Sequence, residues 1–468
     1  MTDPSPKSTD PAALPRVTAG PAAVFALLFV GSVAAVWAPT AAATAGPAAP
    51  AINSGDTAWM LTATALVLLM TPGLSFFYGG MVRSKNVIST MLQSFISMGV
   101  VSLIWVTVGF SLAFGDSLGG VVGNPLTHFM FRGVSDAPSA ALCPTVPLAL
   151  FALYQMKFAI ITPALISGSF AERVRFSSYL VFISLFTLFV YCPLAHATWH
   201  PQGLLHRFGV LDFAGGTVVH MSAGLAALTG ALFLGRRTGH GPGRAHVPAH
   251  IPYVLLGTGM LWFGWFGFNA GSALAASPLA VHAFVTTNTA SAAAMLSWIC
   301  LERLQGRPAS ALGACIGAVV GLVAITPAAG FVTVGASLCI GVVASAVSTF
   351  AVRWKSQSNL DDTLDVFPCH GVGGMVGMVA TGLFASKAVN PAGEDGLLFG
   401  GTTLFLKHLA ALVIVSAVTS LGAWLIYVVT DKIRPLRVLP QEEKLGLDVT
   451  QHGESLLHDP RSSMLPEG

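Results

Sequence analysis

The feature that most limits what this chain can become is a series of long intervals holding no Asp, Glu, Lys or Arg. A helix needs about 20 mainly apolar residues to cross the hydrocarbon core of a bilayer, and the intervals match that length. Asp56 to Arg83 encloses 26 uncharged residues, Lys85 to Asp116 encloses 30, Arg175 to Arg207 encloses 31 and Asp212 to Arg236 encloses 23. Arg244 to Glu302 and Arg307 to Arg353 enclose 57 and 45, room for two helices each, dividing near Ser277-Pro278 and near Pro327 to Gly330. Asp365 to Lys387 and Lys407 to Asp431 add one apiece, as does Asp136 to Glu172, interrupted by Lys157. The spacing predicts an all-α polytopic membrane protein of eleven transmembrane helices. With 9% of residues charged and 54% hydrophobic, the chain is neither a soluble enzyme nor a disordered polymer. A net charge of +3 gives no field that would draw nucleic acid. Six cysteines without CxxC spacing make neither a disulfide scaffold nor a zinc cluster.

Residues 1–45 run from a polar, Pro-rich start through the apolar stretch Pro21 to Trp37 to the small residues Ala41 to Ala45, the order of a secretory signal peptide. An uncleaved anchor helix is the alternative. With an external start, the eleven helices alternate so that Arg83, Lys85, Arg173, Arg175, Arg236, Arg237, Arg244, Arg303, Arg307, Arg353 and Lys355 share one side with the tail residues Lys432, Arg434, Arg437, Lys444 and Arg461. Those sixteen stand against three in the opposite loops, Arg132, Arg207 and Lys387. The excess of basic loops marks the cytoplasm and puts the C-terminus there. The expected organisation is a signal segment over 1–45, a transmembrane domain over 53–431 and a cytoplasmic tail over 432–468.

Small residues at helical spacing, Gly264, Gly267, Gly271 and Gly313, Gly317, Gly321, predict close helix contacts. Gly371-Val372-Gly373-Gly374 resembles a phosphate loop only superficially, since it lies inside an apolar span. The fifth and tenth spans each read Asp, then His, then Gly four residues beyond the His: Asp212, His220, Gly224 and Asp365, His370, Gly374. A five-helix unit repeated once must insert in opposite senses, which predicts two inverted five-helix repeats around a central pore plus one extra helix, with the histidines meeting near the midplane. A lone buried histidine is usually a satisfied core residue. Two in matched places at membrane depth point to a pathway, because neighbouring imidazoles can share a proton while offering a donor or an acceptor. A metal held by His220, His370 and Cys369 lacks a carboxylate or third histidine in register, so no metal or other cofactor is expected. Asp212 and Asp365 read either as helix caps or, for Asp212 before Gly215-Gly216-Thr217, as a buried structural anion accepting local N–H groups. Pro368 is expected to bend the tenth helix and free a carbonyl. Trp199, Phe158 and the run Trp265 to Ser272 place rings beside polar groups, an aromatic vestibule or an interfacial belt.

The stretches Phe76-Phe77-Tyr78-Gly79-Gly80-Met81-Val82-Arg83-Ser84-Lys85-Asn86, Asp212 to His220, Gly264 to Ser272 and Asp365-Val366-Phe367 through His370-Gly371-Val372 resemble the ammonium transporter (Amt/Rh) family on its bacterial Amt side. The likeness runs from about Asn53 to the tail segment Gly446 to Glu454. It implies a homotrimer with one pore per subunit, in a bacterial inner membrane. It further implies that Trp199, Ser272 and Phe158 recruit external ammonium, that Phe158 and Phe268 form a stacked gate, and that Trp265 lines the pore. His220 and His370 match the family's twin histidines, and Asp212 its structural aspartate. The implied mechanism deprotonates ammonium near the gate, conducts ammonia, and passes the proton separately through the histidines, so that uptake is electrogenic and no enzymatic step is involved. The tail is implied to lie against the inner face and to receive a PII-type signalling protein. Lys157, beside the gate, is expected to point away from the vestibule, one residue being about 100° around a helix. A sensor on the same fold is the other reading, weakened by the lack of a fused output domain. Pairing of Cys143 with Cys192 is left open.

Overall fold

The computed structural model describes residues 51–241 and 247–456, together with Gly20, Ala23, Ala26 and Val30, isolated exposed helical positions. The chain divides into two units, residues 1–42 and 43–468. The rest of the signal segment, including its small-residue end, lies outside the described residues.

The larger unit is helical. In chain order its spans are α1 (Ser54–Met81), α2 (Ser84–Phe114), α3 (Leu148–Phe170), α4 (Phe176–Phe208), α5 (Gly216–Leu234), α6 (Ile251–Gly271), α7 (Pro278–Leu304), α8 (Ala311–Ile325), α9 (Val334–Gln357), α10 (Phe367–Phe384) and α11 (Thr402–Ile433). Ten are long and apolar enough to cross a membrane, and α8 is a shorter apolar helix of 15 residues. At about 1.5 Å per residue α8 falls short of a bilayer. The turn at 326–332 that completes its path is buried in the bundle, the setting in which non-helical backbone is tolerated at membrane depth.

Local chemistry sets the boundaries. Asn53 caps α1 by accepting the Asp56 N–H at 3.0 Å, and Ser277, Ser310 and Thr333 cap α7, α8 and α9 likewise. Pro368 lies in the first turn of α10, where a missing N–H costs nothing, so it starts that helix and does not bend it as the sequence suggested. The long α2–α3 connection carries two ribbons that helix-based reading did not anticipate: β1 (Ser117–Leu118) with β2 (Val122–Gly123), and β3 (Pro138–Ser139) with β4 (Cys143–Pro147). Cys143 and Cys192 are buried free thiols.

The small-residue stripes do what their spacing predicts. A Cβ on Gly267 would sit 2.6 Å from Leu66 of α1, and one on Gly317 would sit 2.7 Å from Trp298 of α7. The tightest crossing joins α5 to α10, where a Cβ on Gly224 would come within 2.1 Å of the Gly371 nitrogen. Gly224, one turn beyond His220, thus lets its backbone meet that of Gly371, which directly follows His370, and this brings the histidines to one level.

At the end of the bundle carrying the tail, buried charges form a closed lattice. Glu172, following α3, takes Arg83 Nε at 2.7 Å and Arg237 Nη1 at 2.8 Å. Arg237 also binds Asp361 at 2.9 Å, and Arg173 donates to the Asp361 carbonyl at 2.6 Å and to Thr363 at 2.9 Å. Burial opposes the charge of Glu172, yet Arg237 and Arg83 prevail and hold it at about 2. Asp361 is held below the carboxylate range in the same way, with burial again outweighed by its arginines. The tail joins this lattice through Arg437, which donates to the Leu234 carbonyl at 2.9 Å and to Glu443 at 3.0 Å. Two short helices, α12 (Pro440–Leu445) and α13 (Leu447–His452), follow. Asp448 caps the start of α2 through the Ser89 N–H at 2.8 Å.

Candidate functional site

At the end opposite the tail, a cavity of about 530 Å³ is lined by Phe158, Trp199, Ser272, Gln155, Phe114 and Phe213, among others. Its rings come from separate spans: Phe158 from α3, Trp199 from α4, with Ser272 ending α6. Phe158 meets Trp199 edge to face at 5.9 Å, and Trp199 is aimed by its Nε1–H, which donates to the Asp212 carbonyl at 3.1 Å. The Ser272 hydroxyl donates to the Phe268 carbonyl at 2.9 Å and lies 3.2 Å from the Tyr154 hydroxyl. Sequence reasoning missed Tyr154 and Gln155, the latter with a buried Oε1 that has no hydrogen-bond partner among the described residues. Their signal was spacing alone, since both lie within one turn of Phe158. Lys157 is half-buried and absent from this lining, and the cavity holds no charged side chain.

Below this cavity Phe158 and Phe268 stack at 4.1 Å between centroids, 25° from parallel, and both are buried. Beyond them lies a narrow lumen whose lining is apolar or aromatic apart from two imidazoles. His220 stacks on Trp265 at 5.3 Å, and the Trp265 Nε1–H is satisfied by Thr326 Oγ1 at 2.9 Å. His370 faces His220 from the other half, with their Nδ1 atoms 3.3 Å apart. Farther on, a second cavity lined by Phe77, Tyr78, Met81, Cys369 and His370 leads to a wide mouth of about 1490 Å³ at the tail end. That mouth is lined by Arg83, Arg237, His240, Lys355 and Asp365 among others. Among the described residues no group of three or more His, Cys, Asp or Glu is placed to hold a metal ion.

The histidine geometry constrains the protons. Two neutral imidazoles joined Nδ1 to Nδ1 must be opposite tautomers, since one nitrogen donates and the other accepts. Their remaining Nε2 atoms then present one lone pair and one N–H, and His220 Nε2 has no hydrogen-bond partner among the described residues. The site thus offers a small hydrogen-bonding solute both an acceptor and a donor in otherwise apolar surroundings.

Both histidines sit in wide, π-type turns, Gly216–Met221 and Phe367–Val372, of a kind that favours functional sites. Asp212 secures the first: its carboxylate accepts the N–H groups of Gly215, Gly216 and Thr217 at 2.7–2.8 Å and the Thr217 hydroxyl at 2.5 Å. It is a buried structural anion rather than a solvated cap. The sequence pairing of Asp212 with Asp365 requires correction. Asp365 forms an ion pair with Lys355 at 2.6 Å, and the residue placed like Asp212 is Asp362. His408 of α11 was also missed. It accepts the Leu211 N–H at 3.1 Å and reaches the Met378 carbonyl at 2.8 Å, bracing the loop that carries Asp212.

Comparison with known proteins agrees with this architecture. A profile described as "Ammonium Transporter Family" matches residues 58–456. The chain is 47% identical over 407 residues to a putative ammonium transporter of Methanothermobacter thermautotrophicus, covering 86% of this chain and 98% of that one. It is 46% identical over 409 residues to an ammonium transporter of Bacillus subtilis, covering 87% and 100%. Among solved structures it is similar to Saccharomyces cerevisiae Mep2, with TM-score 0.79, 35% identity and coverage of 83% and 88%. A structure described as "Sensor Amt Protein" gives TM-score 0.78 at 29% identity, with coverage of 85% and 98%.

Proposed function

The chain belongs to the ammonium transporter family, and from that premise we propose that it takes up ammonium by separating the cation into ammonia and a proton at the phenylalanine gate. Ammonium binds in the outer cavity, where the faces of Trp199 and Phe158 attract a cation without a counter-ion and Ser272 accepts one of its N–H groups. Ring faces supply about 0.5–2 kcal/mol each, more where water is excluded. The lumen beyond is too apolar for an ion, since a bare charge in such surroundings costs several kcal/mol or more. Ammonium therefore releases its proton at the gate formed by Phe158 and Phe268. Ammonia crosses the lumen past Trp265, and the proton passes through His220 and His370, reversing their tautomers. One positive charge moves per ammonia, so uptake is electrogenic. Asp212 holds the turn that aims His220.

The observation that carries this reading is the 3.3 Å approach of the two imidazole nitrogens inside an otherwise apolar lumen. The test is the transient current on a solid-supported membrane when proteoliposomes receive an ammonium pulse, with wild type beside His220→Ala and His370→Ala. An inward current lost in both variants supports the relay. Equal ammonia permeation with no current in the wild type makes the protein a neutral channel instead.

The protein works, in this proposal, as a homotrimer in the bacterial inner membrane, with residues 1–45 removed as a signal peptide, the mature N-terminus outside and the tail in the cytoplasm. The tail's seat against Lys85, Asn86 and Ser89 supports a regulatory role for 432–468, with a PII-type protein as partner. A second reading, transport coupled to sensing, is favoured by the likeness to the sensor structure and by that same seat. Uptake by a form ending at residue 433 separates them: full uptake with altered nitrogen signalling favours the sensor.

A further inference from the structure

The wide turns of α5 and α10 match beyond their histidines. His220 lies eight residues after Asp212 and His370 eight residues after Asp362. Asp212 accepts the N–H groups four and five residues ahead, Gly216 and Thr217, and Asp362 does the same with Val366 at 3.2 Å and Phe367 at 2.7 Å. Three residues after each aspartate the backbone has a positive φ, 115° at Gly215 and 58° at Asp365. The carbonyl at that position accepts the N–H four residues on, that of Val219 in one half and Cys369 in the other. The fully buried Asp362 is also clamped from behind. Lys355 donates to its carbonyl at 3.0 Å, and its neighbour Asp361 belongs to the arginine lattice.

We infer that Asp362 is the positioning residue for His370: by binding the free amides of the turn Phe367–Val372 from inside, it fixes that imidazole opposite His220. The inference rests on the relay reading of the histidine pair. Asp362 touches neither the solute nor the moving proton. It acts through the turn, and sequence inspection overlooked it because Asp365, closer to the histidine, stood in its place. Burial raises the Asp362 carboxyl to about 6, partly offset by Lys355, and its two amide partners favour the charged form that grips the turn.

The test uses the full chain in proteoliposomes, reading the ammonium-pulse current and, separately, lumen alkalinisation driven by an ammonia gradient. Asp362→Asn keeps the volume but sets a donor against one of the two amides. Displacing a relay group by about 1 Å costs on the order of tenfold to a hundredfold. The expected result is a current at least tenfold smaller, unchanged ammonia permeation and an unchanged elution volume. Asp362→Glu, which keeps both acceptors on a longer arm, should fall between, and it is read on the same scale should the Asn variant not accumulate. A current within twofold of wild type overturns the inference. So does joint loss of current and ammonia permeation in folded protein, since the turn would then only hold the helix open. A His370→Ala variant that keeps its current removes the relay itself, and this inference with it.

Discussion

The two mouths of the pore are built from opposite materials. The one opposite the tail is lined by rings, an amide, a hydroxyl and aliphatic groups, with no charged side chain among the described residues. The one at the tail end is lined by Arg83, Arg237, His240, Lys355 and Asp365. An uncharged aromatic mouth can accept a cation and release it, because no charged side chain of its lining loses a counter-ion when the cation leaves. A mouth of interlocked ion pairs does the reverse: each charge is committed to a partner, so it holds segments together and leaves little free field to bind a solute. The two ends are thus built for different tasks, and substitutions at the two should fail differently.

The largest effect is expected in the lattice. Arg237→Ala removes the partner that Glu172 and Asp361 share in a buried site, leaving Glu172 to Arg83 and Asp361 to Arg173; removing one partner of a buried pair costs about 3–5 kcal/mol. The variant should yield little folded protein by size-exclusion chromatography. Normal yield would mean that the lattice is dispensable and the contrast between the mouths is only one of composition.

Acid should act at the same end. Glu172 is held at about 2 against an ordinary 4.5. A carboxylate whose folded value is depressed contributes stability in full above 4.5 and loses it as pH falls toward 2. Depressed Asp361 acts in the same direction. The contribution of Glu172 is about 3 kcal/mol at neutral pH. The melting temperature in detergent should therefore drop steeply below pH 4.5, and Glu172→Gln should melt lower than wild type at pH 7 with a shallower acid slope. Identical slopes would place the acid-sensitive groups elsewhere.

At the outer mouth the effects should be smaller and kinetic. Trp199→Leu keeps bulk and removes a ring face worth about 0.5–2 kcal/mol, so the ammonium concentration for half-maximal current should rise about twofold to thirtyfold with melting nearly unchanged. Ser272→Ala removes one acceptor, about 1 kcal/mol, and should raise it about fivefold. A loss of stability in either variant comparable to that of Arg237→Ala would erase the distinction between the two ends.

What could be read from the sequence follows how local each signal is. Spans α1 to α11 were legible because a long stretch with little or no charge is a property of one segment. The stacked phenylalanines and the histidine pair came from short motifs, and the structure places Phe158, Trp199 and Ser272 around one cavity and Phe268, Trp265, His220 and His370 around the next. The lattice was not legible: Glu172, Arg237 and Asp361 are separated by 65 and 124 residues and each looks like an ordinary loop charge. Asp362 stayed hidden for a subtler reason. A nearer aspartate satisfied the eye, whereas the repeat preserves an eight-residue interval. The first-turn role of Pro368 and the short span of α8 depend on what surrounds them, a wide turn in the first case and burial among neighbours in the second.

The contact between Gly224 and Gly371 has a consequence for biosynthesis. The histidines it aligns are 150 residues apart in the chain, and at about 5–20 residues per second the ribosome needs roughly 8–30 s to supply the second after the first. Throughout that interval the amino-terminal half sits in the translocon or the lipid with its imidazole unpartnered and the glycine groove open. The groove admits only a helix that presents backbone at that level, since a Cβ on Gly224 would come within 2.1 Å of the Gly371 nitrogen, so docking of α10 inspects the nascent chain: until it arrives, the lumen lacks the side that carries His370.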